Sequence, residues 1–301
     1  MKRAGAGRGP DWLRDLTEGD LRPLVIRLSL LYLLLNPGMR WSERVPVLVL
    51  AGMGLLSPAL GRSPGLWLVL AAATAWPVAA GWPLSDNHAY LTSLWCLALA
   101  TCSVAPHPAR ALARTARLMV GLTFAFAMLW KAVLSPDFVD GRFFRVTLLE
   151  DTRFANLAVV AGGMSDARFD ANEAALESHA RGVPWSRSGF VEPPELRRLA
   201  SLLTAYTLAL EGALAVAFLW PGGGGPGRLR DPTLLVFAAT TFAVASVGGF
   251  GWLLMTLGLA QCPPGRRGLR LLYLATFFLI VVYEWVPWSD ALAAWSQGLP
   301  A

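Results

Sequence analysis

Eight apolar stretches, cut apart by prolines and charged turns, leave this chain few ways to fold. They run over residues 21–36, 43–60, 65–82, 87–105, 109–134, 197–220, 232–260 and 269–288. Prolines 37, 58, 64, 83, 106 and 108 separate the first five, because proline lacks the N–H a helix interior uses and favours the ends of helices. Only 15% of the residues are charged and 55% are hydrophobic, whereas soluble domains carry roughly a quarter charged residues. The expected fold is therefore all-α, a polytopic transmembrane bundle of about eight helices. Several stretches fall short of the ~20 residues that cross a bilayer perpendicularly. The stretches at 87–105 and 109–134 are the firmest helices, and no internal repeat is visible.

The domain plan that follows is simple. Residues 1–20 form a basic N-terminal segment, 21–290 a single membrane domain and 291–301 a tail. The first apolar stretch contains Arg27 and lacks a small-x-small cleavage site, so it reads as a retained helix and not as a signal peptide. Residues 135–195 are too charged to span and too aromatic for a linker, so they are expected to form an ordered lid. Interfacial helices are expected there around 148–160 and 167–179. The run Pro221–Gly227 lacks the Lys-Ser/Thr of a phosphate-binding loop and is assigned no chemistry.

The net charge of +6 is spread between apolar segments, which points to anionic headgroups and not to nucleic acid. Arginines 110, 114 and 117, with the basic N-terminus, place the start of the chain on the cytoplasmic side of the cell membrane. Three cysteines form no C-x-x-C pair and read as packing residues. No histidine pair has metal-ligand spacing, so no metal is expected.

Among these apolar segments one residue type is out of place. Lys131 is the only lysine after Lys2, and it stands at the end of a long apolar run. An ammonium can shed its proton when desolvated, whereas a guanidinium in practice cannot. The bland alternative is a lysine that snorkels to the headgroups. Just before the 87–105 segment stands Ser85-Asp-Asn-His-Ala-Tyr-Leu91, where Asp86 reads as an N-cap and His88 falls in the first helical turn. The short Ala105–Pro108 turn makes the next two helices antiparallel, so His88 and Lys131 are expected at one membrane face. Arg27 and Glu211 are two further charges at lipid depth; a pair between them is conceivable, with structural stabilisation at least as good a reading as catalysis.

Asn87-His-Ala-Tyr-Leu91 resembles the N-H-x-Y-L signature of vitamin K-dependent γ-glutamyl carboxylases and of bacterial HTTM (horizontally transferred transmembrane) proteins. Leu24-Val-Ile-Arg27 resembles the arginine-bearing first helix of that family. Lys131 with Asp137-Phe-Val-Asp-Gly141 resembles its Lys and Asp-Trp-x-x-Gly block, and Ser246-Val-Gly-Gly-Phe250 with Cys262-Pro263 is similar to its S-I-G-x-F helix and exit. The resemblance implies Lys131 as the base that deprotonates a quinol of vitamin K or menaquinol type. His88 would assist by hydrogen bonding, and Asn87, Tyr90, Asp137, Gly141, Arg27 and Glu211 would line a substrate or lipid site. In the carboxylases the oxidised cofactor then takes a γ-proton from a substrate glutamate, and carbon dioxide adds.

Three departures bear on that transfer. Phe138 replaces the family's tryptophan and lies further from the lysine, and a second family histidine falls near Ala238. The sequence also ends shortly after the eighth stretch, whereas the carboxylases continue into a large soluble domain that helps hold the propeptide. The expected function is thus a quinol-dependent, carboxylase-like or peptide-modifying membrane enzyme. The alternative is a non-catalytic polytopic protein that binds a lipid or exports or matures a peptide.

Overall fold

The computed structural model describes residues 19–36, 40–83, 85, 87–184, 192–244, 247, 249–263 and 265–285. Among them every regular element is helical. The longer helices are α1 (Arg22–Leu35), α2 (Trp41–Leu56), α3 (Pro64–Ala80), α4 (Asn87–Ser103), α5 (Pro108–Leu129), α6 (Arg142–Glu150), α7 (Ala155–Ala161), α8 (Asp166–Ala180), α9 (Pro194–Leu219), α10 (Arg230–Val244), α11 (Phe250–Ala260) and α12 (Arg267–Trp285). Proline opens α3, α5 and α9, where its missing N–H costs nothing. Two helices are long and apolar enough to cross a membrane, Pro108–Leu134 and Pro194–Leu219. The expected N-terminal segment, apart from Gly19 and Asp20, and the expected tail at 291–301 lie outside the described residues.

The 232–260 stretch is not the single helix its hydropathy suggests. It divides into α10 and α11, and Gly249 enters α11 with φ +82°, a left-handed conformation that glycine adopts without a Cβ penalty. A side chain there would also strike Asn36, whose Oδ1 would lie 2.7 Å from the new Cβ. Residues 251–260 of α11 are all buried, in contact with α1, α5, α10 and α12. Helices pack that closely only where small residues admit a neighbour: a Cβ on Gly258 would stand 2.4 Å from the Tyr273 ring. An apolar helix of this kind, without a polar side, belongs at the centre of a bundle.

A polar seam ties α1 to α4. Trp95 donates to Ser29 Oγ at 2.8 Å, and Thr92 donates to the His88 carbonyl at 2.8 Å. That leaves the Thr92 oxygen to accept from Tyr32 at 2.5 Å, and Tyr32 to accept from Asn36 at 3.1 Å. Each buried hydroxyl is thereby satisfied, as burial requires.

The 135–195 region has a hydrophobic core of its own. Phe138, Phe144, Leu148, Leu149 and Phe169 pack on Leu196 and Ala200 at the start of α9. The helix expected over 148–160 is broken at Asp151, whose side chain accepts from the Arg153 N–H and caps a new turn. A side-chain cap outcompetes helix continuation at such a residue. The helix expected over 167–179 corresponds to α8. Arg145 grips Glu192 with two hydrogen bonds of 2.5 and 2.6 Å, and Arg197 adds a third at 3.1 Å, which staples α6 to the entry of α9. In the glycine turn, Arg230 donates to the carbonyls of Ala217, Trp220 and Gly222, closing the C-terminal end of α9.

Candidate functional site

The register between α5 and α9 sets the site. Gly121 faces Leu219 and Met128 faces Gly212, so the numbering rises along one helix as it falls along the other. Two glycines on this seam let the helices approach. Continuing the register brings Lys131 against Glu211, with Nζ to Oε1 at 2.5 Å. The Glu211 side chain is only 7% exposed while that of Lys131 is 25% exposed, so the acid is enclosed and the amine keeps a route outward. Lys131 does not sit in regular α-helix. It lies in a single π turn, Trp130–Leu134, that ends α5; such widened turns recur at functional positions.

The segment that follows folds back over the pair. Pro136–Val139 forms one helical turn, and the Phe138 ring, buried in the second core, lies 5.1 Å from Lys131 Nζ. An ammonium over an aromatic face is attracted by its quadrupole. Gly141 closes the turn at φ +79° and places its α-carbon region against Ser201 and Thr204 of α9. Thr204 and Glu211 share one side of α9, two helical turns apart. Thr204 Oγ1 and Glu211 Oε2 are both buried without a hydrogen-bond partner among the described residues. Glu211 Oε2, an orphaned polar atom beside the Lys131 amine, is one that a polar ligand or ordered water would satisfy; Thr204 Oγ1 lies about 10 Å further along α9.

The remaining expected residues distribute as follows. His88 falls in the first turn of α4, half-buried, with its ring 6.5 Å from that of Phe250. Lys131 contacts Glu211 and Phe138, and the His88 ring stands near Phe250 at the head of α11. Tyr90 packs edge-on against Trp82 at 6.2 Å. Asp137 is exposed and pairs with Arg142 at 2.6 Å, so it buttresses the turn. Arg27 is exposed, and Glu211 pairs with Lys131 in its place. Helix order in space, which hydropathy does not encode, decides between those two partners. Ala238 is buried in the main core. The Asn87 side chain, Asp86 and Ser246 lie outside the described residues. Among the described residues no group of three or more His, Cys, Asp or Glu could hold a metal.

Sequence reading missed Phe138 as a roof and Thr204 as an orphan. The first was legible as an aromatic shortly after Lys131; the second had no signal. Comparison with family models, curated proteins and solved structures gives no match.

Proposed function

We propose that this chain is a multi-pass membrane protein, akin to the HTTM and vitamin K-dependent carboxylase-like proteins, in which Lys131 and Glu211 exchange a proton with a lipid-soluble acid of the quinol class. The observation that carries the reading is the Lys131–Glu211 pair itself, enclosed between two membrane-length helices, with one carboxylate oxygen left over. Support for the bilayer comes from exposure: 17% of the apolar window of Pro108–Leu134 is buried. A soluble core helix would bury most of it. Leu122, Phe126, Leu129, Trp130 and Val133 are all exposed and recur at helical spacing, one apolar stripe that lipid would cover. The other apolar helices are shorter, and they cross in this reading with their ends in the headgroup region.

A bound quinol would supply an acidic hydroxyl and reducing equivalents. The groups at the pair suit a hydroxyl: the Lys131 amine as donor or acceptor and Glu211 Oε2 as acceptor. In the pair, a proton can sit on Lys131 Nζ or on Glu211. With the carboxyl protonated, the amine is neutral and has the lone pair a general base needs. Phe138 packs over the pair and limits its contact with water, which strengthens the attraction within it.

A second reading has an observation of its own. A lysine already paired at 2.5 Å can be a purely structural ion, holding α5 to α9 in a protein that binds lipid or a peptide without chemistry. Base-assisted oxidation of reduced menaquinone in proteoliposomes, with dissolved dioxygen as the two-electron acceptor, separates the two. Proton exchange predicts activity in the wild type, none in Lys131→Ala, and near-complete loss in Lys131→Arg, since the guanidinium stays charged. Wild-type turnover in Lys131→Arg overturns it in favour of the structural ion.

A further inference from the structure

At the opposite end of α5 from Lys131 lies a cavity of about 380 Å³. With about 1.5 Å of rise per residue, the two sites are separated by about the ~30 Å of a bilayer core. Ile26, Leu99 and Leu112, from α1, α4 and α5, form an apolar wall. Asp20, Arg22 and Arg62 form a charged rim. Two of these three cancel: Arg22 grips Asp20, with Nε to Oδ2 at 2.7 Å and Nη2 to the same oxygen at 2.5 Å. Arg62 makes no ion pair among the described residues, although its charge is felt by Asp20; two guanidiniums against one carboxylate leave the rim with a net positive charge. Arg110 and Arg114, exposed on the first turns of α5, add to the positive field on the same end of the bundle.

We infer that this cavity binds the glycerophosphate end of an anionic phospholipid, with the phosphate at Arg62 and the first methylenes against Ile26, Leu99 and Leu112. The volume suits part of a lipid: ligand pockets run from about 300 to 1,000 Å³. A free phosphate ion is a poorer match, because one guanidinium without an ion pair, a nearby Asp20 carboxylate and an apolar wall leave most of its oxygens without donors. Basic pockets between helices at the arginine-rich end of a membrane protein are where anionic headgroups are bound. The inference rests on the bilayer reading of the bundle and is independent of Lys131 and its chemistry.

The test is native mass spectrometry of the detergent-solubilised full chain, titrated with dioleoyl phosphatidylglycerol or dioleoyl phosphatidylcholine. Two exposed positions carry the variants. Arg62→Gln removes the charge, and Ser103→Trp, at a lining residue, fills the mouth. Phosphatidylglycerol should bind one per chain and in preference to phosphatidylcholine. Arg62→Gln should weaken it about fivefold, the worth of one cation at an anionic surface, and Ser103→Trp should abolish it with circular dichroism unchanged. Equal binding of the two lipids, or undiminished phosphatidylglycerol binding in both variants, overturns the proposal. So does full displacement by millimolar inorganic phosphate, which would make the site one for a free anion.

Discussion

Replacing one member of the Lys131–Glu211 pair should cost far more than replacing both. The oxygen and nitrogen stand 2.5 Å apart, which at an effective dielectric of about 20 corresponds to an attraction of about 5 to 7 kcal/mol between the charge centres. Most of that repays the desolvation of two ions. Lys131→Met strands a carboxylate that is 7% exposed, and such a loss costs about 3 to 5 kcal/mol. Glu211→Gln costs less, about 1.5 to 3 kcal/mol, the value of a hydrogen bond to a charged group, because the 25%-exposed lysine can turn outward and rehydrate. The double variant Lys131→Met/Glu211→Leu should return to within about 1 kcal/mol of wild type or exceed it, as apolar replacements of buried pairs do. Reversible unfolding in mixed micelles, with the four proteins as a double-mutant cycle, gives the coupling directly. A coupling energy indistinguishable from zero refutes the reasoning, since it would mean the two charges do not meet in the folded protein.

Three further outcomes follow from the same geometry. Gly258→Ala should destabilise by about 1 to 3 kcal/mol, because its Cβ would stand 2.4 Å from a buried Tyr273 ring in a core that cannot yield; Gly212→Ala, whose nearest neighbour would be Met128 at 3.6 Å, should be tolerated, and thermal melts of the two compare them. The Arg145 hydrogen bonds hold the Glu192 carboxyl below its usual range, so their stabilisation is full above the ordinary carboxylate value of about 4.3 and is lost as pH falls through the lowered folded value. Hydrogen exchange of residues 142–150, corrected for intrinsic rate, should rise over that acid window in the wild type and be raised already at neutral pH in Glu192→Gln. Gly141→Ala should loosen the turn over Lys131 by about 1 kcal/mol or more, because φ +79° is strained for a side chain, and it should raise the solvent exchange of the Lys131 amine without unfolding α5.

The helical character of the chain was legible because long apolar runs bounded by prolines leave little else. Where the reading failed, tertiary features were at work. Nothing in the hydropathy of 232–260 marks Gly249 as a break; the close approach of Asn36, which comes from α1, makes it one. Asp151 is the exception, since it interrupts the expected 148–160 helix through a local cap, its carboxylate accepting from the Arg153 backbone N–H. Lys131 and Glu211 were each visible as charges in apolar surroundings. Their pairing was not, since it depends on which helix lies beside α5, and the seam glycines Gly121 and Gly212 are the one trace of that choice in the sequence. Thr204 looks like any helical threonine until the fold buries its hydroxyl.

The proton on Lys131 can be watched almost alone, because the chain contains a single other lysine, Lys2. In protein labelled with ¹⁵N-lysine and carrying Lys2→Arg, one Nζ resonance remains. Proton exchange at the pair predicts that this resonance moves when reduced menaquinone is added, and that the Glu211→Gln variant removes the response. A resonance that stays at the position of a free lysine side chain, unmoved by the quinol and by the loss of Glu211, would contradict the account.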